Sequence, residues 1–215
     1  MGTAIRTEGL SKSFGTVHAL AGLDLEVAQG EVLGYLGPNG AGKTTTLRLL
    51  MGLLRPTAGR AEIFGLDAEH DAVAAHRRVA YVPGEANLWP SLTGEETLHL
   101  LARVHGWIDP GYRDLLIERF AFDPSKKVRS YSKGNRQKLA LIAGLMTRAD
   151  LLLMDEPTSG LDPLMEREFR HCMHEAKQAG QTVFLSLAHP QRGRGALRPG
   201  RDLAQRPAGG AGHAR

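Results

Sequence analysis

The residues best suited to chemistry lie in a glycine-rich segment that follows the short apolar run 32–36. Glycines there let successive backbone N–H groups point at phosphate oxygens, and the N-terminal end of a following helix attracts the same negative charge. An apolar run, a glycine-rich loop and a helical pattern, in that order, are the context that a P-loop requires, although a glycine-rich turn can match by chance. The predicted phosphate-binding residues are Gly37, Pro38, Asn39, Gly40, Ala41, Gly42, Lys43, Thr44 and Thr45.

Side chains of this segment have distinct predicted roles on a nucleoside triphosphate. Lys43 would bridge the β- and γ-phosphates, Thr44 would present its hydroxyl to Mg²⁺, and Thr45 would reach the region of the α-phosphate. An acidic pair follows a later apolar run: Asp155 is the expected second anchor of the magnesium, and Glu156 the expected general base for an attacking water. Such a pair is also common as a solvated strand end, and the P-loop is what favours the catalytic interpretation.

The pattern of apolar residues predicts the elements that must position these groups. Loose alternation over 4–10, 18–27 and 61–64 predicts an antiparallel sheet beside the core. Spacing of three and four residues predicts helices, and continuous apolar runs predict buried strands. The predicted helices cover 93–104, 111–122, 166–178 and the residues from Ser132, as N-cap, to Met146, and the predicted strands cover 151–154 and 182–186.

Together these elements predict an α/β fold. Its core is that of a P-loop NTPase, a mostly parallel sheet with helices, accompanied by an antiparallel β subdomain and a small α-helical subdomain over about 86–148. One domain is expected over 1–186, which suits a chain of 215 residues. Residues 187–215 are rich in Gly, Ala, Arg and Pro and are expected to form a disordered tail.

Composition excludes several classes of protein. The single cysteine, Cys172, cannot form an internal disulfide and is expected to be a small apolar residue on a helix, as in a cytosolic protein. No leader pattern and no apolar run of about 18 residues is present, so a soluble chain is expected.

The net charge of +4 comes from the end of the chain, because 187–215 hold six Arg and one acid. Nucleic acid is therefore not expected as a partner.

With these motifs in order, residues 5 to 186 resemble the nucleotide-binding subunits of ABC transporters. The segment 131–135, Tyr-Ser-Lys-Gly-Asn, resembles the family signature, usually Leu-Ser-Gly-Gly-Gln. Ser132, Gly134 and Asn135 would offer an anion site at a helix start. In the family this site points away from its own P-loop, so the resemblance implies a homo- or heterodimer in which each signature closes on the second ATP-binding subunit's γ-phosphate.

The resemblance also implies roles outside these motifs. Phe14 lies where the family stacks an aromatic ring on adenine, the alternative being a phenylalanine of the core. Asp162 ends a run, 159–162, that matches the loop by which the two halves sense each other. The motifs are most similar to multidrug or ABC-2-type exporters, which implies ATP and Mg²⁺ as cofactors and a separate transmembrane permease subunit at the cytoplasmic face of the membrane.

Two rival functions stay open. One is a non-transport ABC ATPase in translation or DNA maintenance, although 46 residues between Glu85 and Ser132 leave no room for the long arms of DNA-repair members. The other is a catalytically dead ATP-binding fragment. That alternative follows from the end of the chain, residues 187–215. Within the matching region, Gly84 stands where the family has a glutamine that contacts magnesium and the permease, a role that Glu85 could take through water. Lys133 and Asn135 also depart from the usual signature.

The end of the chain differs from the family pattern more than the motifs before it do. The family places a γ-phosphate-contacting histidine two residues after Ser186, whereas His189 comes one residue late and precedes a proline, so it is expected to be incidental. A flexible basic tail is one explanation. The other is a frameshift near codon 187, since synonymous codons for 187–202 read one base later can spell Ser-His-Ile-Leu-Ser-Glu-Val-Glu. Without that histidine and the final strands, the chain is expected to bind ATP weakly and hydrolyse it slowly.

Overall fold

The computed structural model describes residues 2–106 and 108–188. The strands are β1 Thr3–Phe14, β2 Val17–Ala28, β3 Val32–Gly37, β4 Ala58–Ile63, β5 Leu66–Asp67, β6 Val79–Val82, β7 Leu151–Asp155 and β8 Thr182–Ala188. The helices are α1 Lys43–Leu50, α2 Ala72–His76, α3 Gly94–His105, α4 Pro110–Arg119, α5 Lys133–Leu145 and α6 Pro163–Gln178, with a 3₁₀ turn at Val128–Ser130.

The strands form two sheets of different kinds. An antiparallel sheet has the order β2-β1-β4-β5, and a parallel sheet has the order β3-β8-β7-β6. Carboxyl ends of parallel strands meet at one edge of a sheet, so the P-loop after β3 and the acidic pair at the end of β7 face the same edge. Both the parallel core and the antiparallel subdomain confirm the predicted fold class.

The last strand runs further than predicted. β8 continues to Ala188, and Leu187 pairs with Leu36 of β3, so this strand ends two residues after the predicted strand 182–186. The strand continues because β3 offers a paired backbone as far as Gly37 and because Leu187 packs against the apolar core. The predictions of a disordered tail, a frameshift and an incidental His189 otherwise fall on 189–215, outside the described residues.

Local signals explain the helix ends. α3 begins with a capping box, in which Thr93 accepts a hydrogen bond from the backbone of Glu96 and the Glu96 carboxylate accepts one from the backbone of Thr93. α6 begins at Pro163, three residues before the predicted start, because Asp162 caps it. α4 ends at Arg119, before the predicted end, and Ala121 adopts a left-handed φ of 44°.

Two apolar cores fill the space on the two faces of the parallel sheet. Neighbouring residues of β7 belong to different cores: Leu152 packs with α5 and α6, whereas Leu153 packs with α1 and the antiparallel sheet. This explains why β7 reads as an unbroken apolar run. Cys172 is buried on α6, as predicted. Across 2–106 and 108–188, no helix is long and apolar enough to cross a membrane.

Candidate nucleotide site

The P-loop connects β3 to α1 in a conformation that needs glycine. Gly42 has a φ of 81°, and a Cβ atom there would lie 2.4 Å from the carbonyl oxygen of Ala19. Any other residue would therefore collide with the backbone of β2. Gly42 is also the residue before the first turn of α1, so the helix starts with backbone N–H groups that no capping side chain occupies. This arrangement suits an anion.

Lys43 folds back over the loop that precedes it. Only 5 % of its surface is exposed, and Nζ lies 2.8 Å from the carbonyl oxygen of Gly37 and 3.1 Å from that of Pro38. The same ammonium is 3.4 Å from Oε1 of Glu156. A buried cation is tolerated here because two carbonyl dipoles and a carboxylate surround it. The predicted phosphate-binding lysine and the predicted general base are thus direct neighbours.

The two predicted magnesium ligands also meet. The hydroxyl of Thr44 donates to Oδ2 of Asp155 at 2.7 Å, and the hydroxyl of Ser186 donates to Oδ1 at 2.7 Å. Asp155 is 5 % exposed, so both of its oxygens are held in place by neutral donors. A threonine hydroxyl and a carboxylate are hard oxygen ligands, and these two groups fit Mg²⁺.

Glu156 has a strained backbone. Its φ of 45° lies in the left-handed region, which is uncommon for a residue with a side chain. Its N–H donates to Oγ of Ser186 at 2.9 Å, and its carbonyl accepts from the N–H of Ser159 at 2.9 Å. The carboxylate is about one third exposed and lines an open cleft. Backbone strain of this kind is typical of functional sites.

These groups line a cleft of about 670 Å³. Its wall combines P-loop residues with the start of β2, the segment after β6 and the loop after β7. The burial of Tyr81 raises the pKa of its phenol, and the charge of Asp155 raises it further, whereas Arg48 opposes both effects. The lining residues are Val17, His18, Ala19, Asn39, Gly40, Gly42, Lys43, Thr44, Thr45, Arg48, Tyr81, Pro83, Gly84, Glu85, Asn87, Lys133, Asp155, Glu156 and Ser159.

Phe14 lies at the surface beside this cleft. Half of its surface is exposed, which contradicts the alternative of a core phenylalanine. It pairs with Val17, a cleft residue, where β1 turns into β2, and Nζ of Lys12 lies 5.1 Å from its ring centre. An exposed ring next to a phosphate-binding cleft remains available to stack on a base.

The signature-like segment begins α5. Ser132 caps the helix, as predicted, with its Oγ accepting from the N–H of Asn135 at 3.2 Å. Gly134 packs so closely that a Cβ atom would lie 2.7 Å from the carbonyl oxygen of Gly160. Lys133 lines the same cleft as the P-loop.

Asp162 and Gly84 each make a close contact with a neighbouring element. Both backbone N–H groups of Leu164 and Met165 donate to Oδ1 of Asp162 at 3.0 Å, so this carboxylate caps α6. Gly84 lies against β7, where a Cβ atom would be 3.0 Å from the carbonyl oxygen of Asp155. Glu85 lines the cleft beside it and is the nearest candidate to take the place of a glutamine side chain.

Three residues of this site escaped sequence analysis. Ser186 holds Asp155 and Glu156, and its signal was a small hydroxyl residue at the end of a core strand, in register with Asp155. Gln137 is buried and donates to the carbonyl oxygen of Pro157, a contact that has no local sequence signal. Arg48 lines the cleft from α1, and helical spacing from Thr44 places both on one face.

Residues 20–159 match the ABC transporter family, and the chain belongs to that family. It is 44 % identical over 192 residues to the daunorubicin resistance ATP-binding protein DrrA3 of Streptomyces coeruleorubidus, covering 87 % of this chain and 61 % of that protein. It is 36 % identical over 189 residues to the bacitracin transport ATP-binding protein BcrA of Bacillus licheniformis, covering 86 % and 62 %. The chain thus spans about three fifths of the length of these relatives.

Solved structures agree with the fold. One described as the ATP-binding subunit of an ABC transporter superposes with a TM-score of 0.78 at 30 % identity, covering 86 % of this chain and 80 % of that one. A dimeric bacterial ABC transporter cassette superposes equally well, at 0.78, but at 22 % identity, covering 86 % and 88 %. That second likeness bears on the fold alone.

Proposed function

We propose that this chain is the ATP-binding subunit of an exporter and that it binds and hydrolyses MgATP to drive transport through a separate transmembrane permease. The observation that carries the proposal is the meeting of two pairs at one sheet edge: Thr44 with Asp155, and Lys43 with Glu156. A phosphate-binding loop, two magnesium ligands and a carboxylate base within one cleft are the parts that hydrolysis of a phosphoanhydride requires.

The proposed binding step uses Lys43 and the start of α1. The ammonium exchanges the carbonyl oxygens of Gly37 and Pro38 for β- and γ-phosphate oxygens, which bind it more strongly because they are charged. Thr44 and Asp155 would hold Mg²⁺, which would neutralise phosphate charge. Thr45 faces the α-phosphate, and Phe14 stacks on the adenine at the mouth of the cleft.

The proposed chemical step belongs to Glu156. Its carboxylate accepts a proton from the water that attacks the γ-phosphate, and the bond from that phosphorus to the bridging oxygen breaks. Phosphate binding draws Lys43 away from the carboxylate, which frees one oxygen of Glu156 for the water. The left-handed backbone of Glu156 and its contact with Ser186 fix the direction of that carboxylate before substrate arrives.

A second ATP-binding subunit completes the proposed site. Ser132, Gly134 and Asn135 at the start of α5 would contact the γ-phosphate held by that subunit, and Asp162 lies in the loop between the two. The proposal is supported by Ser132, the N-cap of α5, which is exposed to solvent. The permease would hold both subunits at the cytoplasmic face of the membrane.

The cargo is proposed from the relatives. Their names concern daunorubicin resistance and bacitracin transport, which favours export of a drug or peptide antibiotic recognised by the permease. The same names disfavour a role in translation or DNA maintenance. Slow turnover by this chain stays a prediction, because no contact within residues 2–106 and 108–188 tests it.

Binding and turnover of MgATP by the purified chain test the proposal. We expect Lys43→Ala to abolish binding, and Glu156→Gln to keep binding while lowering turnover at least about a hundredfold. Lys126→Ala, at an exposed residue, and Glu166→Gln, at a partly exposed one, lie outside the cleft and serve as matched controls. A folded chain that does not bind MgATP at millimolar concentration would contradict the proposal.

A further inference from the structure

The segment that carries Glu156 is held from two sides. On one side Ser186 of β8 accepts a hydrogen bond from the N–H of Glu156. On the other side Gln137 of α5 donates from Nε2 to the carbonyl oxygen of Pro157 at 3.2 Å. These two contacts bracket a residue whose φ of 45° is unfavourable for a side-chain-bearing residue. Such a conformation persists only where its surroundings impose it.

Gln137 is well placed to impose it. The residue is 2 % exposed, so its amide cannot exchange the carbonyl of Pro157 for water. It lies one helical turn beyond the signature-like start of α5, on the same rigid helix as Gly134. Gly134 itself touches the carbonyl of Gly160, later in the same segment. The start of α5 therefore contacts the loop after β7 at two points, through the hydrogen bond of Gln137 and through the packing of Gly134.

We propose that Gln137 is a positioning residue for hydrolysis, which holds Pro157 and thereby keeps the Glu156 carboxylate beside Lys43. The inference rests on the proposed role of Glu156 as general base. It also gives the signature a second role within its own chain. The helix that would bind a phosphate at its start is also the helix that holds the segment of Glu156. Phosphate binding at the start of α5 would therefore change the position of Glu156.

The chain offers a matched control for this residue. Gln181 is also buried, and its Nε2 donates to the carbonyl oxygen of Ala149 at 2.7 Å. That contact lies near the start of β7, at the end of the strand opposite Glu156. Methionine has nearly the shape of glutamine but no amide donor. Gln137→Met and Gln181→Met thus remove the same kind of bond at the two ends of one strand.

Steady-state kinetics and hydrogen exchange on the full chain test the inference. We expect Gln137→Met to lower kcat about tenfold with KM and the MgATP Kd changed less than about twofold. We expect exchange of the backbone N–H groups of Glu156 and Ser159 to accelerate in the same variant. Gln181→Met should lose similar thermal stability but keep kcat within about twofold and leave exchange at 156–159 unchanged.

The two measurements separate the inference from the function on which it rests. If the parent chain binds MgATP but does not turn it over, the proposed hydrolysis fails, and exchange at 156–159 still decides whether Gln137 positions this segment. If Gln137→Met and Gln181→Met change exchange at 156–159 and kcat equally, the positioning role is overturned. Should Gln137→Met fail to fold, Gln137→Leu, which also lacks the amide donor and adds no charge, takes its place with the same expectations.

Discussion

The Oγ atom of Ser186 lies 2.7 Å from Oδ1 of Asp155, across a register pair that joins β8 to β7. The same hydroxyl oxygen accepts the N–H of Glu156 at 2.9 Å. One serine therefore orients both acidic residues of the site, donating to the first and accepting from the backbone of the second. Parallel pairing makes this possible, because it fixes where the two strands end relative to each other.

Loss of this hydroxyl should cost stability as well as activity. Ser186→Ala leaves the N–H of Glu156 and one oxygen of Asp155 without their partner in a buried position. We expect the free energy of unfolding in urea to fall by about 1–3 kcal/mol. Ser125→Ala removes an exposed hydroxyl bond to Asp123 and should change it by less than about 0.5 kcal/mol. An equal change in the free energy of unfolding in the two variants would contradict the role of Ser186 in stability.

Close packing between α5 and the loop after β7 makes a second prediction. Gly134→Ala would place Cβ 2.7 Å from the carbonyl oxygen of Gly160, so one backbone must shift. We expect a loss of about 1–3 kcal/mol in urea unfolding and a lower rate of ATP turnover. Gly111→Ala, on the exposed side of α4, meets only a carboxylate oxygen at 3.6 Å. That control should leave stability unchanged or raise it by up to about 1 kcal/mol, and a larger loss there than at Gly134 would refute the packing argument.

An ion pair between α4 and α6 predicts how stability depends on pH. The hydrogen bond from Arg119 to Glu175 holds the pKa of that carboxyl below its ordinary value of 4.5. A lowered folded-state pKa gives stability that is complete above the unfolded value and is lost as the pH falls through the folded one. We expect Glu175→Gln to cost about 1 kcal/mol at pH 7, since the pair is partly exposed, and the difference to shrink below pH 4.5.

Urea unfolding of parent and variant at several pH values measures this difference. The partner residue Tyr112, whose hydroxyl also contacts Glu175, keeps its pKa above the ordinary value through burial and does not titrate in this range. Glu118→Gln, an exposed neighbour on α4, should leave the acid limb unchanged. A Glu175→Gln variant that loses stability in parallel with the parent down to pH 3 would contradict the expectation.

Much of the fold and of the nucleotide site could be predicted from sequence because the features depend on neighbouring residues. The P-loop, the strand before Asp155 and the cap at Ser132 each depend on a few consecutive residues, so sequence pattern suffices for them. Gln137 and Pro157 are 20 residues apart, and Ser186 and Asp155 are 31 apart. Which of many buried polar groups meet across such distances depends on strand register and helix packing, which pattern alone does not specify. The extension of β8 past Ser186 was missed for the same reason, because it depends on the length of β3.

Phe14 provides the last prediction. Its ring is half exposed beside the cleft, so removing it should disturb nucleotide binding and not the fold. We expect Phe14→Ala to weaken ATP and GTP binding alike, about tenfold, because stacking on a base is worth about 1–3 kcal/mol and every base has an aromatic face. Val73→Ala trims an apolar residue on α2 that is more exposed than Phe14, and it should leave both affinities unchanged. Equilibrium titration with a fluorescent nucleotide measures the change, and unaltered affinity in Phe14→Ala would place the base elsewhere in the cleft.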